Sequence, residues 1–225
     1  LKVFIENKMK LGTLEIQFFA WTQLRKKHTI ESGQIREVLQ IDAVKERKLL
    51  SKLSKKGLIV RLRRGLYLVP DRIPPGGTWN PTEYMINAYV MNDLRATYQI
   101  CGPTAFNFYG LEDQIPNTIS LYNDKISGKR TIGGRAFIYI KTNTSRLGAI
   151  HTFQTPEGIT VKMSSLARTL MDAVYDWSRF NTLPRAYRWI IQQGHERQDL
   201  YHELAEVAIR YGNQATIRRI GYLLE

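Results

Sequence analysis

The sequence predicts an α+β protein in which a basic N-terminal domain precedes a mixed α/β C-terminal domain that ends in helices. Three observations carry this. Between Asp42 and Pro70 the apolar period switches abruptly from helical to alternating. Positive charge gathers in the first third of the chain. A proline- and glycine-rich segment then separates that third from a region where short extended stretches and helices mix.

The stretch from Asp42 to Pro70 is the most informative. At ~100° per residue, Leu49, Leu50 and Leu53 share one arc of a helix, and Lys45, Lys48, Lys52 and Lys55 share the opposite arc. Asp42 stands at the N-cap position, and Gly57 stands where a chain leaves a helix through the left-handed conformation. Beyond Gly57 the period becomes two. Leu58, Val60 and Leu62 alternate with Ile59 and Arg61, Arg63-Arg64-Gly65 makes a turn, and Leu66 to Val69 returns as a second strand. Glu46 falls inside the apolar arc. It either favours the positive start of the helix or pairs with a basic side chain of the preceding helices.

Upstream, Leu14, Phe18, Trp21 and Leu24 form a helical stripe that ends in Arg25-Lys26-Lys27-His28, cations suited to the negative end of a helix dipole. Thr29 to Ile41 is expected as a short second helix capped by Ser32, with Ile35, Val38 and Leu39 inward. A tight turn at Gln40-Ile41-Asp42 follows. Helix, short helix, turn, longer helix and two-stranded wing is the order of a winged helix-turn-helix. In that arrangement the third helix lies in the DNA major groove. Lys45, Lys48, Lys52 and Lys55 would meet phosphates and base edges, with Arg47 and Ser51 on the shoulder of that face. Arg63 and Arg64 at the wing tip are long enough to reach a phosphate or the adjacent minor groove. Lysine acts mostly as a point charge, so this face is built for affinity before specificity.

Charge supports the division. Net charge is +13 over 225 residues, with 17 Lys/Arg against 7 Asp/Glu in residues 1–80 and 16 against 13 in residues 81–225. A basic module joined to a nearly neutral one suggests a nucleic-acid-binding domain carrying a second domain with another task. A membrane-surface role would need exposed aromatics on the apolar side of the basic helix, whereas that side is leucine at core spacing. No apolar run approaches the ~18 residues of a membrane span, and the mean hydropathy of -0.32 describes a globular chain. The first residues lack the apolar core of a signal peptide. A single cysteine, Cys101, excludes an internal disulfide and a multi-cysteine zinc site. A cytoplasmic protein is expected, with Met9 as a candidate start residue.

The expected domains are residues 1–70, a linker at 71–80 containing Pro74-Pro75-Gly76-Gly77, and residues 81–225. The second domain opens with a helix after Asn80-Pro81-Thr82-Glu83. Extended Tyr98-Gln99-Ile100 precedes a helix that starts at Gly102-Pro103 and stops at Gly110. Strands are expected at Thr118 to Tyr122 and Ala136 to Ile140, joined by the basic loop NDKISGKRTIGGR. A hairpin is expected around Pro156-Glu157-Gly158. Ser164 or Ser165 caps a helix bearing Leu166, Leu170, Val174 and Trp177. Helices then continue past Pro184, broken near Gly194 and at Gly212-Asn213.

This half offers no catalytic constellation. The Lys125 to Gly134 loop matches neither GxxxxGK[ST] nor GxGxxG. Tyr139-Ile140-Lys141 and Thr160-Val161-Lys162 lack the acid that a metal-dependent nuclease places two residues before its lysine. His151, His195 and His202 are scattered, with a helix break expected between the last two. Cys101 has no histidine partner and is expected as a small buried residue. The chain is therefore expected to be neither an enzyme nor a carrier of a metal or cofactor.

Four segments carry a resemblance to a known family: KKGLIVRLRRGLYLVP, ICGPTAFNFYGLEDQIPNTISLYN, SSLARTLMDAV and the closing TIRRIGYLLE. Together they resemble the AbiEi family, antitoxins of bacterial abortive-infection, type IV toxin–antitoxin systems, over about Leu14 to Glu225. The closing helix implies a short tail beyond Glu225. The resemblance implies a two-domain autorepressor. Its winged helix would bind inverted repeats of double-stranded DNA in its own promoter, and two copies need meet only on that DNA. Its C-terminal domain would counter a nucleotidyltransferase-like toxin, with no stable complex assumed. It supplies no catalytic residues. Lys129, Arg130 and Arg168 are candidates for the antitoxin role, although an ion pair with Asp172 one turn along gives Arg168 a structural role instead. The competing class is a winged-helix protein that contacts RNA or protein outside any toxin–antitoxin system. A nucleotidyltransferase-like reading frame directly downstream separates the two.

Overall fold

A computed structural model describes residues 11–74 and 77–225. The chain is α+β and divides into two compact units, residues 1–89 and 90–225. Met9, Pro75 and Gly76 lie outside the described residues. The far end of the segment expected as a linker is docked within the first unit, where the Trp79 N–H donates to the Gly57 carbonyl at 2.8 Å.

The first unit runs α1 (Thr13–Leu24), β1 (Thr29–Glu31), α2 (Arg36–Leu39), α3 (Ala43–Lys55), β2 (Val60–Arg63) and β3 (Leu66–Leu68). Its antiparallel sheet has the order β1-β3-β2, with Thr29 opposite Leu68 and Arg63 opposite Leu66. Phe18, Phe19, Ile30, Ile35, Leu50, Leu53 and Leu58 close the core between helices and sheet.

Two elements of this unit differ from what the sequence predicts. The inward face of α1 is Glu15, Phe18, Phe19 and Thr22, whereas Leu14 is exposed and Leu24 is 81% exposed. The segment LEIQFFAW is apolar nearly all round, so the polar anchoring of Glu15, not a leucine stripe, sets the rotation. The second helix is also shorter than expected. Thr29 to Glu31 pair with β3, Gly33 turns the chain at φ 106°, and only Arg36–Leu39 is helical. Ile35 is buried as expected, but Val38 is exposed. β-branched Thr29 and Ile30 suit the strand, and the partner they need lies far along the chain.

Helix α4 (Glu83–Asp93) carries the boundary between the units, and the Thr82 hydroxyl accepts from the Met85 N–H near its start. The second unit continues with β4 (Tyr98–Cys101), α5 (Pro103–Phe108), β5 (Thr118–Asn123), β6 (Gly128–Ile132), β7 (Arg135–Lys141), β8 (Ile150–Gln154) and β9 (Thr160–Ser164). Five helices end it: α6 (Leu166–Tyr175), α7 (Trp177–Phe180), α8 (Arg185–Glu196), α9 (Asp199–Tyr211) and α10 (Gln214–Leu224). The mixed sheet has the order β6-β7-β5-β4-β9-β8, with β5/β7 and β4/β9 parallel. Leu170, Met171, Val174, Trp189, Leu200 and Leu204 form the core of the helical layer.

The basic loop expected between β5 and β7 is itself a strand. Gly128 to Ile132 pair antiparallel with Arg135 to Tyr139 around Gly133-Gly134, both glycines at positive φ. This extra strand reverses the chain once more, which is why β5 and β7 run parallel. Gly194 lies inside α8 and is buried. The break falls instead at Arg197-Gln198, and Trp177 starts α7 with its side chain partly exposed.

Gly102, between β4 and α5, sits at φ 61° and ψ -142°, and a Cβ there would stand 2.6 Å from the Phe180 ring. That backbone region is accessible essentially to glycine alone. Gly102→Ala is expected to destabilise the chain by ~1–3 kcal/mol, read as a lowered thermal midpoint in circular dichroism. An unchanged midpoint would refute the steric account.

Candidate nucleic-acid interface

Helix α3 is defined at both ends by its own sequence. The Asp42 carboxylate accepts from the Val44 and Lys45 N–H groups at 2.8 Å each, and the chain leaves through Gly57 at φ 68°. Those N–H groups, that of Lys45 foremost, hold the Asp42 carboxyl below its ordinary range. Leu49, Leu50 and Leu53 are buried behind the helix.

Two buried carboxylates fix that back face. Glu46 accepts from the Gly33 N–H at 2.6 Å and from Arg36 Nε at 2.7 Å. Of its two expected roles, the pairing with a basic side chain of the preceding helices is the one observed. Glu15 of α1 accepts from the Gly12 N–H at 2.9 Å and receives the ammonium groups of Lys52 and Lys56 at 3.0 Å each.

The outward face carries Val44, Arg47, Lys48, Ser51 and Lys55 along one stripe, with Lys45 on its flank. An open cavity of about 680 Å³ runs against this stripe. A second, of about 390 Å³, lies between Lys45, Lys48 and the start of α1. Lys45, Arg47, Lys48, Ser51 and Lys55 are thus brought to one solvent face. Lys52 is exposed over 59% of its side chain but directs its ammonium to Glu15. Arg63 turns back, donating through Nη1 to the Arg64 carbonyl at 3.1 Å and approaching Glu31 at 3.9 Å. Arg64 stands exposed at the turn beside Gly65. Arg61, outward on β2, joins this cationic edge; the alternation Val60-Arg61-Leu62-Arg63 already placed it there. Lys56 and Glu15 were not foreseen, because their pairing spans 41 residues.

Lys129, Arg130 and Arg168, grouped by sequence, are not one site. Lys129 and Arg130 are exposed on β6, whereas Arg168 is fully buried. Its Nε donates to Asp172 at 2.9 Å, the ion pair expected from their spacing. The guanidinium carbon lies 4.7 Å from the centre of the Tyr211 ring and 5.9 Å from that of Tyr122. Burial raises the Asp172 pKa against the pull of Arg168. Cys101 is buried beneath the same layer, and burial pushes its thiol well up.

Among the described residues, no helix is long and apolar enough to cross a membrane, and no three His, Cys, Asp or Glu side chains cluster as metal ligands would.

A two-unit α+β chain with a cationic helix and hairpin at its start is thus defined. It belongs to a family of unknown function, DUF6088, whose model matches residues 25–154, from the end of α1 through β8. No curated protein matches the chain. Among solved structures it is similar to the RV2827C protein from Mycobacterium tuberculosis, at 15% identity and a TM-score of 0.61. The similarity covers 96% of this chain and 77% of that one, and shows a shared fold.

Burial pushes the Glu15 carboxyl up, but the Gly12 N–H and the ammoniums of Lys56 and Lys52 outweigh it and leave the pKa lowered. A carboxylate lowered in the folded state contributes stability above its unfolded pKa and loses it as pH falls through the folded one. Acid titration of the intact chain is expected to destabilise the first unit below about pH 4.5. In Glu15→Gln this part of the acid limb should be flattened. An identical limb in wild type and variant would remove Glu15 from the account.

Proposed function

We propose that the chain is a DNA-binding autorepressor whose N-terminal unit is a winged helix-turn-helix, and that it acts as an AbiEi-like antitoxin of a type IV system. The observation that carries the DNA-binding half is the outward face of α3. Arg47, Lys48, Ser51 and Lys55 lie on one stripe of a helix capped by Asp42, followed directly by a hairpin with Arg64 at its tip. A helix about 10–12 Å across fits the major groove, and a hairpin beside it reaches flanking phosphates.

In this reading Lys45, Lys48 and Lys55 neutralise phosphates, while Arg47 and Ser51 are the side chains able to address base edges. Lys52 serves chiefly to hold α1 against α3 through Glu15, and Arg63 shapes the wing from which Arg64 extends. An inverted repeat would be covered by two copies meeting on the DNA. The antitoxin half rests on the sequence resemblance, and it assigns the opposition to a nucleotidyltransferase-like toxin to the second unit, in a cytoplasmic setting.

Replacing Lys48 and Lys55 with alanine is expected to lower the slope of log affinity against log salt by about two for the promoter duplex, one unit per lost phosphate contact. Gel shifts across a potassium chloride series measure it, and an unchanged slope would remove α3 from the interface. Arg47→Ala should instead narrow the gap between promoter and scrambled duplex by ~1–3 kcal/mol.

The division of labour has its own test. The full chain carrying Lys48→Ala and Lys55→Ala should still rescue growth when co-expressed with the neighbouring toxin gene, while losing promoter repression. Loss of rescue together with repression would contradict the assignment of antitoxicity to the second unit.

A further inference from the structure

We propose that β6 and its turn into β7 form a second contact for nucleic-acid backbone phosphates, on the C-terminal unit and independent of α3. Charge gives the first argument. Residues 90–225 contain 16 Lys/Arg and 12 Asp/Glu; within them, residues 124–141 hold five basic residues against one acidic, and the remainder hold 11 of each. The net positive charge of the whole unit therefore resides in this one ribbon. Its single acid, Asp124, is already paired with Lys125 at 2.9 Å.

Placement gives the second. Among the described residues β6 is the outermost strand of the sheet, with no strand partner on one side, and it presents N–H groups outward there. Lys129 stands opposite Ile138 and Arg130 opposite Phe137, so the two cations project to opposite faces of the same edge. A notch of about 260 Å³ opens there, rimmed by Thr118, Lys129, Arg130 and Thr131 over Ala136 and Ile138. The Lys129 ammonium and Thr131 hydroxyl on the notch side, the edge N–H groups, and the Arg130 guanidinium on the other face are donors able to hold phosphodiester oxygens passing along this edge.

The side chains also select among polyanion-binding roles. Gly128, Lys129, Arg130 and Thr131 are all exposed, and the only apolar residue of β6, Ile132, is buried. The strand thus has no apolar anchor for a partner protein or a membrane. Tyr139 lies buried beneath Arg130, 5.7 Å from its guanidinium carbon to the ring centre, so no aromatic face is free to stack a base. The ribbon therefore grips backbone without reading sequence.

The test uses the full chain and fluorescence anisotropy with two probes, a scrambled 24-base-pair DNA duplex and a single-stranded RNA of equal length, across a potassium chloride series. Lys129→Gln with Arg130→Gln should weaken binding on the order of tenfold near physiological salt and lower the salt slope by about two. Arg188→Gln with Arg218→Gln, which removes the same charge from exposed positions on α8 and α10, should leave both nearly unchanged. Loss on the duplex alone identifies DNA, loss on the RNA alone identifies RNA, and loss on both identifies backbone recognition common to the two. Each of these supports the contact. No change on either probe, or equal losses in the two double variants, overturns it. Because the probes carry no operator, failure here is distinct from failure of the α3 reading.

Discussion

The first unit depends on two buried carboxylates behind a cationic helix. Glu15 and Glu46 sit on the inner side of α3, and each is held by one backbone N–H and at least one cation. An isolated buried carboxylate would cost several kcal/mol, and removing one partner from such a pair typically costs 3–5 kcal/mol. The pairs therefore contribute position more than stability. Glu46 ties the turn at Gly33 and the start of α2 to the first turn of α3, and Glu15 ties the start of α1 to its last turns. The leucines between them supply the apolar burial. Together these contacts decide which side of α3 faces outward, and hence which cations do.

The second unit uses a buried ion pair differently. Arg168 and Asp172 are neighbours on α6, so their pairing orients no second element by itself. Its reach comes from the aromatic rings: Tyr211 of α9 and Tyr122 of β5 flank the guanidinium, and the Tyr122 hydroxyl donates to Asp176. Arg146 adds a second cation, lying over Tyr175 and 3.7 Å from Asp172. Helix α6 is thereby tied to sheet and helices through faces of rings, which accept a cation without giving it a hydrogen bond. Arg168 is consequently unavailable to a partner, and what remains for recognition is the rim of the unit.

What was legible in the sequence was local. The N-cap Asp42, the leucine arc, Gly57, the hairpin and the i,i+4 pair Arg168–Asp172 all depend on residues a few positions apart, and all stand where the pattern put them. What was not legible depended on distant partners. Three residues at Thr29 become a strand only because Leu66 to Leu68 provide an edge. The rotation of α1 follows from cations 37 and 41 positions away from Glu15. β6 shows no apolar alternation, since four of its five residues are exposed, and it is a strand because β7 pairs with it. Within the candidate interface the helical arc located the cationic face, but it could not distinguish Lys52, turned to Glu15, from Lys48, which is not.

That distinction bears on how a chain of net charge +13 remains folded. Self-repulsion destabilises a compact state, and cations near an internal carboxylate are relieved of it. Lys52, Lys56, Arg36, Arg146 and Arg168 each have such a carboxylate. Among the described residues, Lys45, Arg47, Lys48, Lys55 and Arg64 in the first unit, and Lys129 and Arg130 in the second, have none within ion-pair distance. These seven lie on one helix face, one hairpin tip and one sheet edge, whereas other exposed cations without such a carboxylate, Arg188, Arg210 and Arg218 among them, lie on the C-terminal helices. Uniform surface charge would keep a protein soluble equally well. Repulsion concentrated on a short stretch, such as the outward face of α3, is instead what a polyanion relieves most effectively. Under the proposed function, the same residues that burden the free protein are those that the phosphate backbone would neutralise.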